Sequence, residues 1–201
     1  MKADFELGHT KLIESTCMRY GLLRNQAAYL LATAYWETAR TMEPVKEAFW
    51  LSEGWRKHNL RYYPWYGRGF VQLTWERNYH KAGDELGVDL ITDPDKVLEP
   101  EISAEILVLG SRDGWFTGKK LADYITLQRS NYRGARRIIN GTDKAAAIAK
   151  IALEYEQALL VRGYGVDAVP PAVPADGGAA QPEMVPGQPK RSRWNPGYWF
   201  S

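Results

Sequence analysis

A mainly α domain with minor β is what this chain predicts, on three observations. Apolar residues recur at helical spacing in several separate segments. Strand-like character is confined to one short stretch at Gly69–Thr74, which could pair in a small hairpin or sheet. Prolines fall at breaks and starts rather than inside the periodic segments, at Pro44, Pro94 and Pro100.

Taken in order, a first helix is expected over residues 4–20. It places the lone Cys17 on one face with Leu12, Ile13 and Tyr20, where it reads as buried packing. A second helix is expected over Gln26–Thr38, capped by Asn25, whose side-chain oxygen can accept from a free amide of the first turn. Residues 41–70 read as loop-rich, because Pro44 stops the helix. Asn78–Leu86 reads as a further helix, Asp93–Pro94 as a helix start, and another helix follows Pro100 with Ile102, Ile106, Leu109 and Trp115 as its buried set. Shorter helices are expected over Lys120–Leu127 and Tyr132–Ile139. The last runs from Asp143 to Arg162 and buries Ile148, Ile151, Ala152, Tyr155 and Leu159. No internal repeat is found.

Glu37 is the residue that points to chemistry. Ala27, Leu30, Leu31, Ala34, Tyr35 and Thr38 share one face, and Glu37 sits at its edge, about 20° round the helix from Leu30; Trp36 falls on the opposite side. A carboxyl group against an apolar wall loses solvation of its charged form, so its pKa is expected to rise, which suits a proton donor. The bland reading is an ordinary amphipathic-helix Glu. A second acidic cluster, Glu43, Glu47 and Glu53, follows, and the chain between Glu37 and Glu47 could fold back to any useful separation. Hydrolysis of a glycosidic bond with inversion needs carboxyl groups roughly 6.5–9.5 Å apart, leaving room for water. The aromatic, glycine-rich and amide-bearing segment Tyr-Gly-Arg-Gly-Phe-Val-Gln-Leu-Thr-Trp (66–75) suits a carbohydrate cleft.

Three ordered motifs carry a family resemblance: Ala-Tyr-Trp-Glu-Thr-Ala (34–39), the 66–75 segment, and Arg-Arg-Ile-Ile-Asn-Gly (136–141). From about residue 5 to 163 the chain resembles glycoside hydrolase family 19. It is most similar to the small phage and prophage endolysins of that group, relatives of plant chitinases in the lysozyme-like superfamily. The resemblance implies a two-lobed helical domain with a substrate cleft over residues 1–164. It implies Glu37 as general acid and Glu47 as the base that activates water. Thr74 matches a hydroxyl that holds the water, Tyr66 and Gln72 match sugar-contacting residues, and Asn140 matches an amide that contacts acetamido groups. Two departures stand out. Trp36 occupies the position where the family usually has His, which bears on the hydrogen bonding around Glu37. The insertion-like stretch 48–55 could line the cleft with aromatics or cap the core.

Composition sets the remaining bounds. At 201 residues with 45% hydrophobic content the chain can build one sizeable core plus an appendage. A net charge of +2, without a basic patch interleaved with exposed aromatics, argues against nucleic acid. His9, His58 and His80 lack metal-ligand spacing, so no metal and no cofactor is expected. One Cys excludes an internal disulfide. A monomer is expected, with a polysaccharide as its partner. The amino terminus lacks the apolar run of a signal peptide, and no segment approaches the roughly 18 apolar residues of a membrane span. Synthesis in the cytoplasm, with release through a holin if the chain is a phage lysin, is the expectation. Residues 165–201 form a Pro/Ala/Gly-rich linker and a basic, aromatic terminus, read either as a disordered or docked end or as a contact to an anionic cell envelope.

Three functions fit. The leading one is a peptidoglycan hydrolase cutting between N-acetylmuramic acid and N-acetylglucosamine by an inverting two-carboxylate mechanism. The second is a chitinase on poly-N-acetylglucosamine. The third is a non-catalytic sugar-binding or phage structural module.

Overall fold

The computed structural model describes residues 3–165; the linker and basic–aromatic terminus singled out above lie outside the described residues. Among those described, the order is α1 (Thr10–Arg19), α2 (Arg24–Glu37), β1 (Val45–Lys46), α3 (Glu53–Asn59), β2 (Arg68–Gly69) and α4 (Glu76–Leu86). A 3-10 turn at Pro94–Leu98 leads into α5 (Pro100–Asp113), and another at Leu121–Asp123 leads into β3 (Ile125–Thr126) and β4 (Arg129–Ser130). Then follow α6 (Tyr132–Ala135), a 3-10 turn at Arg136–Ile138, and α7 (Ala145–Val161).

The centre of the molecule is α2. Ala27 to Ala34 are buried without interruption, so this helix is enclosed on every side rather than by one stripe. Its alanines let neighbours approach closely, and α7 packs along it through Ile148, Ile151, Ala152, Tyr155 and Leu159. The core also takes in Cys17 and Ile13 from α1, while Leu12 and Tyr20 are only partly covered. Burial pushes the Cys17 thiol well above its ordinary pKa, and it serves as packing.

Several boundaries differ from the sequence expectation. The first helix begins at Thr10, not at residue 4, because Gly8 has φ +43° and a Cβ there would lie 2.6 Å from the Thr41 carbonyl oxygen. Asn25 lies inside the first turn of α2 rather than at its N-cap, although its Oδ1 does accept from the Gln26 N–H at 3.0 Å. The helix starts at Arg24, and the Gln26 side chain accepts from the Leu23 N–H at 3.1 Å. Asn25 instead donates to Thr126 O and Ser130 Oγ, and Gln26 donates to Ile125 O. Those ties hold an antiparallel β3–β4 hairpin where a helix over Lys120–Leu127 was expected. β-Branched Ile125 and Thr126 suit extended backbone. Asp93–Pro94 starts a 3-10 turn rather than an α-helix. Trp115 lies beyond α5, which ends at Gly114 in left-handed conformation, and Phe116 folds back onto Gly110.

The extended segment expected at Gly69–Thr74 is largely a turn: the strand is Arg68–Gly69, where Val45 faces Gly69 and Lys46 faces Arg68 in an antiparallel ribbon, and residues 70–72 turn back because the chain must bring Leu73 onto Arg68. Arg68 and Leu73 exchange backbone hydrogen bonds, closing a tight loop in which Gly69 and Gln72 both have positive φ. Among the described residues no helix is long and apolar enough to cross a membrane.

Candidate active site

The C-terminal end of α2, the loop and ribbon between residues 45 and 78, and the segments around 116 and 140 enclose an open groove of about 480 Å³. Glu37 reaches it from the last turn of α2, and Glu47 from the residue after β1. Gln72, Thr74 and Asn140 line it too, so five of the six nominated side chains face one space.

Glu37 is mostly buried, and its wall is not the apolar one expected. Oε1 accepts from Arg136 Nη1 at 2.6 Å, and Arg136 is itself 5% exposed. Arg136 Nε also donates to Asp143 O, which fixes the guanidinium from its far side. Such a charge-assisted bond stabilises the carboxylate that remains once a proton has left. The Trp36 ring packs partly against the core and beneath the Arg40 guanidinium, at 6.0 Å from its centroid.

Glu47 is held by neutral donors. Tyr62 Oη donates to Oε1 at 2.7 Å, and the Gly67 N–H donates to Oε2 at 2.9 Å. Burial and this bond push the Tyr62 hydroxyl up to about 12, so it stays a donor across the working range. Gly67 has no room for a side chain. A Cβ would lie 2.8 Å from Gln72 Oε1 and 3.2 Å from Glu47 Oε2. Gln72 cannot easily retreat, because its Nε2 donates to Val45 O at 2.9 Å and to Gly69 O at 3.2 Å. Its amide hydrogens are thus spent on backbone, leaving the carbonyl as the group it can offer. Thr74 Oγ1 donates to Gln72 O, which leaves its oxygen free to accept. Asn140 Oδ1 accepts from the Gly141 N–H, leaving its NH₂ as a donor.

The geometry separates the three acidic candidates. Glu43 pairs with His9 at 3.0 Å, and Glu53 accepts from Tyr66 Oη and Arg56. Of the cluster, Glu47 shares the groove with Glu37.

Tyr66 is the nominated residue that the structure places elsewhere. It is fully buried, with the Arg68 guanidinium 3.7 Å from its ring centroid, so it carries the wall rather than a sugar. Arg68 donates to Asp95, Pro64 O, Tyr66 O and Tyr79 Oη. Burial works against the charge of Asp95, yet hydrogen bonds from Lys46 and Arg68 hold its carboxyl below the ordinary range. The stretch 48–55 neither lines the groove nor caps the core. Phe49 and Trp50 are exposed, edge to face at 5.2 Å, and Ser52 caps α3.

Groove residues that the sequence did not single out include Tyr62, Trp75, Arg77 and Asn78. Trp75 closes the 66–75 motif and was available as a signal; the other three have no periodic or motif signature. Arg136 opens the third motif, but nothing local ties it to Glu37, 99 positions away. Among the described residues no group of His, Cys, Asp and Glu could hold a metal ion.

Residues 31–110 match the family model of glycoside hydrolase family 19, described as chitinase class I. The chain is 51% identical over 41 residues to chitinase 11 of Oryza sativa subsp. japonica, covering 20% of this chain and 16% of that protein. It is 40% identical over 79 residues to the acidic endochitinase of Dioscorea japonica, covering 38% and 29%. The matched part of this chain is therefore under a third of the length of either relative. In structure it is similar to chitinase C from Streptomyces griseus HUT6037, with a TM-score of 0.51 at 23% identity over 70% of this chain and 60% of that one. That likeness shows the fold: a mainly α domain with a small β component.

Proposed function

We propose that this chain is a glycoside hydrolase that cuts a polymer of acetamido sugars with inversion, using Glu37 and Glu47. The observation that carries the reading is the convergence of these two carboxylates, from separate elements, on one open groove that also presents the Thr74 hydroxyl and the Asn140 amide.

In this mechanism Glu37 gives its proton to the departing glycosidic oxygen from Oε2, the oxygen Arg136 leaves free. Arg136 then stabilises the carboxylate left behind, so its charge acts in the transition state. Glu47 takes a proton from water on the opposite face of the ring. Tyr62 and the Gly67 N–H fix its orientation without bringing a positive charge that would weaken it as a base. The Thr74 oxygen accepts a hydrogen bond from that water. The water oxygen bonds to the anomeric carbon as the bond to the leaving oxygen breaks, neither carboxylate bonds to that carbon, and Glu37 then regains a proton from solvent while Glu47 gives one up.

The chitinase names of the matched relatives support poly-N-acetylglucosamine as the substrate class. A peptidoglycan strand, built on the same acetamido sugar, is the second reading; the cations at one end of the groove favour it, as argued below. Lysis of bacterial wall by a phage-type enzyme belongs to that second reading.

The test is hydrolysis of N-acetylglucosamine oligomers and of peptidoglycan glycan strands by Glu37→Gln and Glu47→Gln. Each is expected to lose roughly 10²–10⁴-fold in kcat, the size of one acid or base contribution, with thermal stability nearly unchanged. The first-formed product should carry the inverted anomer by NMR. Activity retained in Glu37→Gln on both polymers refutes the reading, and so does retention of configuration.

A further inference from the structure

We propose that the Trp75 end of the groove reads a negative charge on the glycan through Arg61 and Arg77. This rests on the hydrolase reading above and adds to it a residue-level choice of substrate: an acetamido polymer that bears carboxylates, such as the lactyl group of N-acetylmuramic acid, over a neutral one.

Trp75 is an unusual residue to find at a rim. Its backbone has φ +78° and ψ 135°, a conformation that costs a non-glycine residue stability. The indole remains 40% exposed, so full burial does not offset that cost. Its surroundings hold it in place: Trp75 N–H donates to Trp65 O at 2.9 Å, and the Tyr62 ring meets it edge-on at 5.0 Å. The result is an aromatic surface facing the groove, next to the tyrosine that positions Glu47.

One guanidinium group lies over this ring, and a second lines the groove two residues further on. Arg61 lies 5.1 Å from the indole centroid, and Arg77, in the first turn of α4, lines the groove itself. Among the described residues neither has a carboxylate partner. Arg56, Arg68 and Arg136, which build the walls, each pair with one: Glu53, Asp95 and Glu37. Of the groove's own carboxylates, Glu37 is matched by Arg136, while Glu47, bonded by the neutral Tyr62 hydroxyl and Gly67 N–H, keeps its charge. Arg61 and Arg77 set two positive charges at the Trp75 end against that one groove carboxylate, so the unmatched charge a ligand meets there is positive. A neutral polymer gains little from an unpaired guanidinium, whereas a carboxylate can take up its planar donor fork. An aromatic platform for the apolar face of a sugar, beside cations for an acidic substituent, matches a carboxylate-bearing acetamido glycan.

The experiment compares two substrates on the full chain: an N-acetylglucosamine oligomer, and a glycan strand of alternating N-acetylglucosamine and N-acetylmuramic acid freed of its peptides. The ratio of kcat/KM, acidic over neutral, is measured for the wild type, Arg61→Gln, Arg77→Gln and the double variant at low and high salt. The double variant is expected to lower that ratio by roughly three- to tenfold, the scale of partly exposed ion pairs, mostly through KM. Added salt should lower the wild-type ratio in the same direction, since exposed charges are screened. An unchanged ratio in the double variant overturns the proposal, as does a wild type that cleaves the neutral oligomer and ignores the acidic strand. Calorimetric binding of both glycans to Glu37→Gln, with and without the two arginine changes, gives the same comparison without turnover. If the wild type cleaves neither polymer, the hydrolase reading fails, while a binding preference for the acidic strand that the arginine changes abolish still upholds charge reading at the Trp75 end.

Discussion

The two walls of the groove hold their carboxylates by different physical means. Glu37 stands at the end of a helix whose middle is buried on all sides, and a single buried guanidinium fixes its side chain. Glu47 stands in a wall of two-residue strands and tight loops, where Ala48, Gln72 and Trp75 all have positive φ. No regular element positions it; a tyrosine hydroxyl and one backbone amide do. A carboxylate mounted on a packed helix inherits the helix's rigidity. One mounted on loop needs dedicated hydrogen bonds, and each is a point at which the site can be loosened without unfolding the protein.

This contrast sets the order of effects after loss of either carboxylate itself. Gly67→Ala strikes the loop wall hardest, because the new methyl meets Gln72 Oε1 and Glu47 Oε2 together. We expect kcat to fall by roughly 10–100-fold, the range that about 1 Å of misplacement can cost, with a change in stability far smaller than a core cavity would give. Full activity in Gly67→Ala, measured on the same oligomer, would break the comparison by showing that the Glu47 wall tolerates displacement.

Tyr62→Phe removes one of the two bonds to Glu47 and keeps the ring against Trp75. A loss in kcat of roughly three- to tenfold is expected, about the worth of one hydrogen bond to a charged group with solvent access. Because the hydroxyl titrates at about 12, it should contribute no alkaline limb to the pH–rate profile below pH 10, in wild type or variant. An alkaline limb near pH 9 that vanishes in Tyr62→Phe would contradict that assignment.

The smallest effect is on stability. Asp95 is the charge partner of buried Arg68, which underpins the β1–β2 ribbon. Its folded pKa lies below the ordinary 3.8, so its contribution is present above that value and is lost as pH falls through the lower folded value. Asp95→Asn should cost about 1 kcal/mol at neutral pH, since Asp95 is half exposed and solvent screens the pair. The melting temperature should drop by roughly 2–4 °C. The gap between variant and wild type should close on acidification below about pH 4. A gap that widens with acid would show that another group holds Arg68.

How far the site was legible follows from the same division. The helix of Glu37 announced itself through apolar spacing; five of the six nominated residues lie in the three motifs, Glu47 came from the acidic cluster between them, and all but Tyr66 face the groove. Tyr66 does not, because its ring is buried under the Arg68 guanidinium and its hydroxyl is taken up by Glu53. The hairpin at 125–130 was unreadable because side chains of α2, Asn25 and Gln26, hold it from a hundred positions away. The apolar wall anticipated beside Glu37 is replaced by Arg136, delivered by the third motif.

The presence of the long helices α1, α2, α4, α5 and α7, the apolar face of α2 and the identity of the acidic residues were determined by the sequence itself, since periodicity and residue type are local properties. Which glutamate meets Glu37 across the groove, what stands behind each carboxylate, and where unpaired positive charge remains were decided only by the tertiary fold. The physical reason is that side-chain hydrogen bonds and ion pairs between distant segments are selected by packing geometry, which fixes partners to within a few tenths of an ångström and leaves no periodic trace along the chain.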